Sequence, residues 1–245
     1  YLTIQIIIFY MDNLTEQKSA PLAVKKYVLK KQPTQAQYKI NYDSDLNPAQ
    51  LEAVKTKNGP VLVIAGAGSG KTKTLTYRVA RLIESGTKPE NILLLTFTKK
   101  AADEMLNRAV MLLDSRCEKV AGGTFHSFSN YILRKYSGHL DLRNNFTIID
   151  RADAEDVINH LRSQIITKQE KRFPRKGTIL DIYSKAVNKN MSAESVIESE
   201  YNQFLHCVEK INEISKQYVA YKRANSLLDY DDLLLYLRTL LQSDK

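Results

Sequence analysis

The residues best suited to chemistry form a glycine-rich loop, Ala65-Gly-Ala-Gly-Ser-Gly-Lys-Thr72. The loop follows the apolar run Val61-Leu-Val-Ile64 and opens an amphipathic pattern that extends from Lys71 to Glu84. Glycines let successive backbone N–H groups converge on one anion, and the positive end of a helix dipole adds to their field. A strand, this loop and a helix in that order predict a site for the phosphate groups of a nucleotide.

Each residue of the loop has a predicted role. Lys71 would reach the β- and γ-phosphate oxygens and the Thr72 hydroxyl would ligate Mg²⁺, which makes these two the predicted catalytic contacts. The general pattern has glycine where this chain has Ala65, and the difference costs little if the φ angle of Ala65 is negative. The backbone predicted to face the phosphates is that of Ala65, Gly66, Ala67, Gly68, Ser69 and Gly70.

Helices and strands are predicted to alternate over residues 46–136. Asn47 and Pro48 are typical of a capped helix start, and the apolar runs that follow are typical of parallel strands buried on both faces. The predicted strands are Val61–Ile64, Asn91–Phe97 and a weaker run that ends near Thr124. After the first helix, the predicted helices are Lys71–Glu84, Lys99–Leu113 and Phe125–Tyr136. This order predicts an α/β fold with a doubly wound parallel sheet.

The pattern becomes mostly helical after Gly138. The short apolar run Phe146–Ile149 is followed by three predicted helices, which are a segment capped by Asp150 and ending at Ile166, Thr178–Val187 and a long one over Ser192–Tyr221. Between Arg162 and Lys189, eight Lys or Arg residues face only Glu170 and Asp181. This basic stretch is either a solvated surface or a face that contacts phosphates.

The composition restricts the class of protein. With 36 Lys and Arg against 27 Asp and Glu, the net charge of +9 favours an anionic partner, although basic charge also serves solubility. The 43% of apolar residues excludes intrinsic disorder.

The cysteines and the apolar runs indicate the cellular environment. Cys117 and Cys207 lack the spacing of metal ligands, and two cysteines are too few for a disulfide framework in a chain of this length. A reducing cytoplasm is therefore expected. No apolar run approaches the roughly 18 to 20 residues of a membrane span, and no membrane association is expected.

Residues 1–44 are predicted to form a poorly packed basic arm, because lysines and two prolines dominate the segment after Met11. The opening Tyr1–Tyr10 lacks the basic segment and cleavage site of a signal peptide. Two interpretations stay open for it: the protein starts at Met11, or Tyr1–Tyr10 forms a β-strand with alternating polarity.

Four further motifs accompany the loop in a fixed order. They are Leu46-Asn-Pro-Ala-Gln50, Leu95-Thr-Phe-Thr-Lys-Lys-Ala-Ala-Asp-Glu-Met105, Gly123-Thr-Phe-His-Ser-Phe128 and Leu228-Asp-Tyr-Asp-Asp-Leu-Leu234. Together they resemble the N-terminal motifs of UvrD/Rep-type superfamily 1 DNA helicases, closely over residues 45–136. The resemblance implies a RecA-like P-loop NTPase domain 1A over 45–137, a mostly α-helical inserted subdomain 1B over 138–225, and a helix over 226–245 that returns to 1A.

The resemblance also implies roles for single residues. Gln50 would select the adenine of ATP through its amide, and Lys73 takes the place of an arginine that the family usually has near the base. Contacts with DNA are implied for Phe97, Thr98, Lys99, Thr124, Phe125, His126 and Tyr230. Each of five residues named above also has a simpler interpretation. Gln50 would be an ordinary exposed helical residue, Phe97 would belong to the core, and Thr124 would cap a helix. His126 would make structural hydrogen bonds, and Tyr230 would be a buried aromatic residue.

The implied activity is that of an ATP-dependent 3′→5′ DNA helicase that uses Mg²⁺ and acts on single-stranded DNA and single/double-strand junctions, as a monomer or with weak self-association. Hydrolysis needs an acidic pair after an apolar strand. Leu227-Leu-Asp-Tyr-Asp231 is a poor candidate, since Asp229 with Asp232 is better suited to cap a helix.

The chain is therefore expected to end before the acidic strand and to bind ATP and DNA without efficient turnover. One alternative is a nucleotide- and DNA-binding module without motor activity. Another is a different P-loop NTPase such as a kinase, against which the motifs around Phe97 and His126 argue.

Overall fold

The computed structural model describes residues 8–10, 38–57, 59–140, 142–166 and 172–243. The chain divides into two compact units between Phe125 and His126, called here the N-terminal and C-terminal units. This division lies before the predicted boundary at 137/138, and residues 226–245, predicted to return to the first domain, belong to the C-terminal unit. The assignment of these segments to domains 1A and 1B stays a prediction.

The N-terminal unit combines a small sheet with helices. Its regular elements are β1 (Ile8–Tyr10), α1 (Tyr42–Asp45), α2 (Pro48–Lys55), α3 (Lys71–Glu84), β2 (Ile92–Thr96), α4 (Lys99–Leu112) and β3 (Ala121–Thr124), with short 3₁₀ turns at Pro89–Asn91 and Ser115–Lys119. β2 lies between the other two strands, parallel to β3 and antiparallel to β1. The β2–α4–β3 crossover is the part of the predicted parallel sheet that forms.

One buried face of α3 organises the core of this unit. Val79, Ala80 and Ile83 are buried there, and they belong to the same apolar cluster as Ile92 and Leu94 of β2. The helix also packs against α2 and α4. Because α3 is fixed on three sides, the loop at its N-terminus has a defined position relative to the sheet.

The run Val61–Ile64 is not a strand, so this prediction was wrong. It pairs with no strand among the described residues, and its side chains are exposed, from 37% for Val61 to 84% for Ile64. A strand that is apolar on both faces needs neighbours on its edges and layers above and below it. β2 is already paired with β1 on one edge and with β3 on the other. The sequence of β3, Ala121-Gly-Gly-Thr124, has only small side chains that could pack beside an added strand. The apolar run therefore stays in solvent.

The last part of the predicted arm is packed, which corrects the expectation for residues 38–44. Ile40 and Tyr42 are buried in the core of the N-terminal unit, and the Tyr42 hydroxyl donates to Glu84 Oε2 at 2.5 Å. The Arg81 guanidinium lies 3.3 Å from the centre of the Tyr38 ring. These aromatic side chains anchor residues 38–44. The lysine-rich composition of the segment did not predict this packing. Residues 1–7 and 11–37 lie outside the described residues, whereas β1 agrees with the β-strand interpretation of the opening segment.

The C-terminal unit is mostly helical. Its elements are α5 (Phe125–Tyr136, whose first residue belongs to the N-terminal unit), β4 (Thr147–Ile148), α6 (Arg151–Ile165), α7 (Lys176–Lys189), α8 (Ala193–Glu200), α9 (Val208–Ala224), β5 (Leu227–Leu228) and α10 (Tyr230–Gln242), with 3₁₀ turns at Ser137–Leu140 and Asn202–Cys207. β4 and β5 form a short parallel pair. No helix in the described part of the chain is both long and apolar enough to cross a bilayer.

The long helix predicted over Ser192–Tyr221 is broken, which corrects that prediction. α8 ends at Glu200, its C-cap Tyr201 has a φ of −137° outside the helical region, and a 3₁₀ turn leads into α9. A straight helix over this range would be roughly 45 Å long and would carry one of its ends away from the core. The break lets Ile197 of α8 and Ile211 of α9 enter the same buried cluster.

The exposure of the apolar run can be tested by stability. Ile92→Ala should lower the free energy of unfolding by about 2–5 kcal/mol, since Ile92 is 1% exposed. Ile64→Ala should change it by no more than about 0.5 kcal/mol, since the side chain already contacts water. Urea unfolding followed by circular dichroism measures both. Similar losses in the two variants would place Ile64 in a packed strand.

Candidate nucleotide and nucleic-acid site

The glycine-rich loop has the backbone geometry that an anion site needs. Gly68 and Gly70 have φ angles of 74° and 83°, which other residues adopt only with strain. Gly70 is the N-cap of α3 and supplies no side-chain cap, so the first N–H groups of the helix remain available at the loop. In the described residues, positive φ outside glycine occurs only at Asn190 and Ser226, so alanine fits at Ala65 as predicted.

Lys71 is folded against its own loop. Its Nζ donates to the carbonyl oxygens of Ala65 at 3.1 Å and Gly66 at 2.6 Å. No carboxylate of the described residues forms an ion pair with Lys71, and the Thr72 hydroxyl has no hydrogen-bond partner among them. A cation held only by neutral carbonyls would bind phosphate oxygens more strongly, because the negative charge of a phosphate adds Coulomb attraction to the hydrogen bond.

Gln50 connects α2 to the loop. Its Nε2 donates to the Ser69 carbonyl at 3.0 Å, and its Oε1 accepts from the Asn47 N–H at 3.2 Å as part of a capping box. The amide thus lies at the loop, and in this conformation one of its hydrogens and one of its lone pairs are already in use. A Cβ on Gly70 would lie 2.8 Å from Gln50 Nε2, so the end of the Gln50 side chain would have to shift if this glycine were replaced.

Lys73 is exposed on the first turn of α3. Its Nζ donates to the Asp45 carbonyl at 2.5 Å and lies 5.5 Å from the centre of the Tyr77 ring. The Tyr77 hydroxyl donates to Asp45 Oδ2 at 3.1 Å, which fixes the ring. Burial and this bond to Asp45 raise the pKa of Tyr77. Lys73 therefore belongs to a polar cluster with Asp45 and Tyr77 beside the loop, which the sequence did not reveal.

Phe97 and Phe125 lie together because the strands before them are parallel and in register. Thr96 is paired with Thr124 at the ends of β2 and β3, and the two rings that follow have centroids 5.9 Å apart. Phe97 is 61% exposed, so the alternative that made it a core residue was wrong. Phe125 is half-buried. The carboxyl ends of the parallel strands thus carry an accessible aromatic pair.

Polar residues surround this aromatic pair on the N-terminal unit. The Thr98 hydroxyl accepts from the Ala101 N–H at 3.2 Å and caps α4, and Lys99 is exposed on the first turn of that helix. Thr124 is half-buried at the end of β3. A hydroxyl, an ammonium group and a helix N-terminus next to exposed rings are suited to a nucleic-acid backbone with its bases.

His126 and Tyr230 meet in the C-terminal unit. Their ring centroids are 5.7 Å apart and the rings are nearly perpendicular. Tyr230 is 52% exposed, so the alternative that buried it was wrong. Asp229 and Asp232 form a capping box at the start of α10, which confirms that they are a helix cap.

The sequence analysis missed Lys222, a buried cation in the C-terminal unit. Its Nζ lies 2.6 Å from Oδ2 of both Asp229 and Asp232. A signal was present, since apolar residues recur on one face of α9 and the lysine continues their spacing. The buried face of α9 consists of Ile211, Ile214, Tyr218 and Lys222.

Part of the basic stretch is neutralised within the C-terminal unit. Lys176 pairs with Asp156 at 2.6 Å, and Lys185 with Glu200 at 2.5 Å. Lys185 and Lys189 lower the pKa of Glu200 to about 2. Arg172 and Arg175 are exposed and have no acidic partner in the portion of the chain that the structure describes, from which residues 167–171 are absent. Both interpretations of the stretch stay open.

Comparisons with known proteins agree on one family. The model of the UvrD/REP helicase N-terminal domain matches residues 46–245. The chain is 38% identical over 196 residues to the ATP-dependent DNA helicase PcrA of Bacillus subtilis (strain 168), covering 78% of this chain and 25% of that protein. It is 39% identical over 194 residues to PcrA of Staphylococcus epidermidis (strain ATCC 12228 / FDA PCI 1200), covering 78% and 26%. The chain thus spans about a quarter of the length of these curated relatives.

The requirement for glycine at the helix start can be tested by a matched pair of variants. Gly70→Ala should lower the free energy of unfolding by about 1–3 kcal/mol, because it combines a φ of 83° with the close contact to Gln50. Gly66→Ala should change it by no more than about 0.5 kcal/mol, since Gly66 has no positive φ and nothing within 4 Å of an added Cβ. Urea unfolding without nucleotide measures both. Equal effects would contradict the loop geometry.

Proposed function

The chain belongs to the UvrD/REP helicase N-terminal domain family, and on this premise we propose that it carries the ATP-binding site and part of the single-stranded-DNA contact of a DNA helicase. The observation that carries the proposal is the loop of residues 65–72 at the N-terminus of α3. It joins uncapped N–H groups with a lysine that no carboxylate of the described residues neutralises.

The residues present fit MgATP. The N–H groups at the start of α3 and the Lys71 ammonium would hold the phosphates. The Thr72 hydroxyl, which has no partner among the described residues, would ligate Mg²⁺. Gln50 keeps one donor and one acceptor for an adenine edge while its other groups hold Ser69 and Asn47. Bound Mg²⁺ would offset the negative charge of the phosphates.

The DNA contact is proposed on two surfaces, one in each unit. Phe97 and Phe125 would stack on bases, and Lys99 with the hydroxyl of Thr98 would meet the phosphates. In the C-terminal unit, His126 and Tyr230 form the second aromatic surface. Stacking on aromatic faces tolerates any base, which suits a protein that moves along DNA regardless of sequence.

Turnover is proposed to need more protein than this chain. Hydrolysis requires carboxylates that hold Mg²⁺ and orient water, and the acidic candidate in the sequence is the segment Leu227–Asp231. Asp229 and Asp232 are engaged with Lys222 instead. We therefore propose that the 245-residue chain binds MgATP and DNA without efficient turnover. Movement in the 3′→5′ direction and opening of single/double-strand junctions would belong to a longer protein that contains this chain.

Nucleotide binding is tested by removing the loop cation. Lys71→Ala should abolish detectable ATP binding in isothermal titration calorimetry, because the phosphates lose their main positive charge, while the urea unfolding midpoint stays close to that of the parent chain. Lys119→Ala is the control, since that lysine is exposed and its one ion pair among the described residues is a 4.0 Å contact with Glu90. Tight ATP binding by Lys71→Ala would reject the phosphate site.

The base contact is tested at the exposed ring of Phe97. Phe97→Ala should weaken binding of an oligothymidylate by about 1–3 kcal/mol in fluorescence anisotropy, the usual effect of losing one stacked base. Met111→Ala removes another exposed apolar side chain, 83% exposed on α4, and should leave the affinity unchanged. Unchanged affinity in Phe97→Ala would remove this residue from the DNA surface.

The contribution of phosphate contacts is tested by salt. For the unmodified chain, the logarithm of DNA affinity should fall linearly with the logarithm of salt concentration, with a slope of about −0.7 per phosphate contacted.

A further inference from the structure

Lys222 lies in a buried charged cluster at the start of α10. Its side chain is 3% exposed, and its Nζ contacts Oδ2 of Asp229 and Oδ2 of Asp232, each at 2.6 Å. The Tyr218 hydroxyl donates to Asp229 Oδ2 at 2.9 Å. The Tyr183 hydroxyl lies 3.4 Å from the lysine Nζ. These residues come from α7, α9 and the first turn of α10, so the cluster joins three helices.

Aromatic rings enclose the ammonium group. It lies 4.4 Å from the centre of the Tyr218 ring and 5.2 Å from that of Tyr183, and the two rings meet edge to face. Burial lowers the pKa of Lys222, but the charges of Asp232 and Asp229 outweigh burial and raise it. Burial and the charge of Asp229 raise the pKa of Asp232 despite the opposing effect of Lys222. One cation therefore holds two buried carboxylates that would otherwise repel each other.

The cluster and one further hydrogen bond fix the residues on the two sides of Tyr230. Asp229 is the N-cap of α10, and its Oδ1 accepts from the Asp232 N–H at 2.9 Å. On the other side, Asn188 Nδ2 donates to Asp231 Oδ1 at 2.9 Å. Tyr230 is the first helical residue between them, exposed and packed edge-on against His126. The position of its ring is therefore set by the groups that hold the helix start.

We propose that Lys222 is a positioning residue for the DNA surface of the C-terminal unit. By holding Asp229 and Asp232 together, it keeps the first turn of α10 in place and thereby holds the Tyr230 ring against His126. Without the cation, the two carboxylates separate, the capping box opens and Tyr230 leaves His126. The inference rests on the proposed function only for the step from Tyr230 to DNA, because the packing of Tyr230 on His126 can be measured without DNA.

The first experiment follows the His126 ring by NMR in the 245-residue chain. The chain has 4 histidines, and the His126 signal is identified by its loss in His126→Gln. Tyr230→Ala should shift this signal by removing the ring current of the tyrosine. Lys222→Met should shift it in the same direction, whereas Lys216→Met, the same change at an exposed site on α9, should not. An unshifted His126 signal in Lys222→Met, or in Tyr230→Ala, would overturn the proposal.

The second experiment is a double-mutant cycle on oligothymidylate affinity. Tyr230→Ala should weaken binding roughly 5- to 150-fold, the factor expected for a lost stacking contact. Lys222→Met should weaken it by a similar factor in the parent chain but by less than about twofold in Tyr230→Ala, because its effect passes through that ring. If Lys222→Met weakens DNA binding equally in the unmodified chain and in Tyr230→Ala, then Lys222 acts only on the stability of the fold. That result would overturn the proposal.

The two experiments separate the positioning role from the DNA contact. If Tyr230→Ala leaves DNA affinity unchanged while Lys222→Met still shifts the His126 signal, the DNA contact at Tyr230 fails and the positioning role stands. If Lys222→Met does not fold, Tyr218→Phe replaces it, since it removes only the hydroxyl that donates to Asp229. That variant should shift the His126 signal partway towards its value in Tyr230→Ala, and an unshifted signal would again overturn the proposal.

Discussion

The burial of one face of α3 is the constraint on which the candidate nucleotide site depends. Val79, Ala80 and Ile83 fix the helix in the core of the N-terminal unit, so the glycine-rich loop before it is held at one end by packing. The other anchor is polar, since Gln50 ties the loop to α2 through the Ser69 carbonyl. Between these anchors the loop is exposed. A rigid base beneath an accessible backbone suits the binding of a charged ligand that must also leave.

The two aromatic surfaces are positioned by different physics. In the N-terminal unit, Phe97 and Phe125 come together because the parallel strands before them are in register. In the C-terminal unit, the start of α10 depends on a buried cation between two carboxylates. Removing one partner of such a cluster leaves uncompensated charge, which costs several kcal/mol. A surface held by buried charge is therefore more sensitive to single substitutions than one held by a sheet.

The sequence predicted most features that local chemistry determines and missed those that depend on neighbours. The cap at Asn47, the span of α3 and the Asp229–Asp232 box follow from residue types at fixed spacing, and the structure confirms them. Val61–Ile64 failed because apolar composition cannot supply the adjacent strand that it needs. Lys222 was missed because a charge on an apolar helix face becomes explicable only when its partners from α10 are known. The family was recognisable because its motifs occur in a fixed order.

The central claim, that residues 65–72 bind the phosphates of a nucleotide, is tested most directly by calorimetric titration of the 245-residue chain with ATP, ADP and AMP in the presence of Mg²⁺. If the loop and Lys71 supply the binding energy, ATP and ADP bind and AMP binds at least about tenfold more weakly, a difference of ~1.4 kcal/mol or more. Equal affinity for ATP and AMP, or no binding of ATP, would contradict the account.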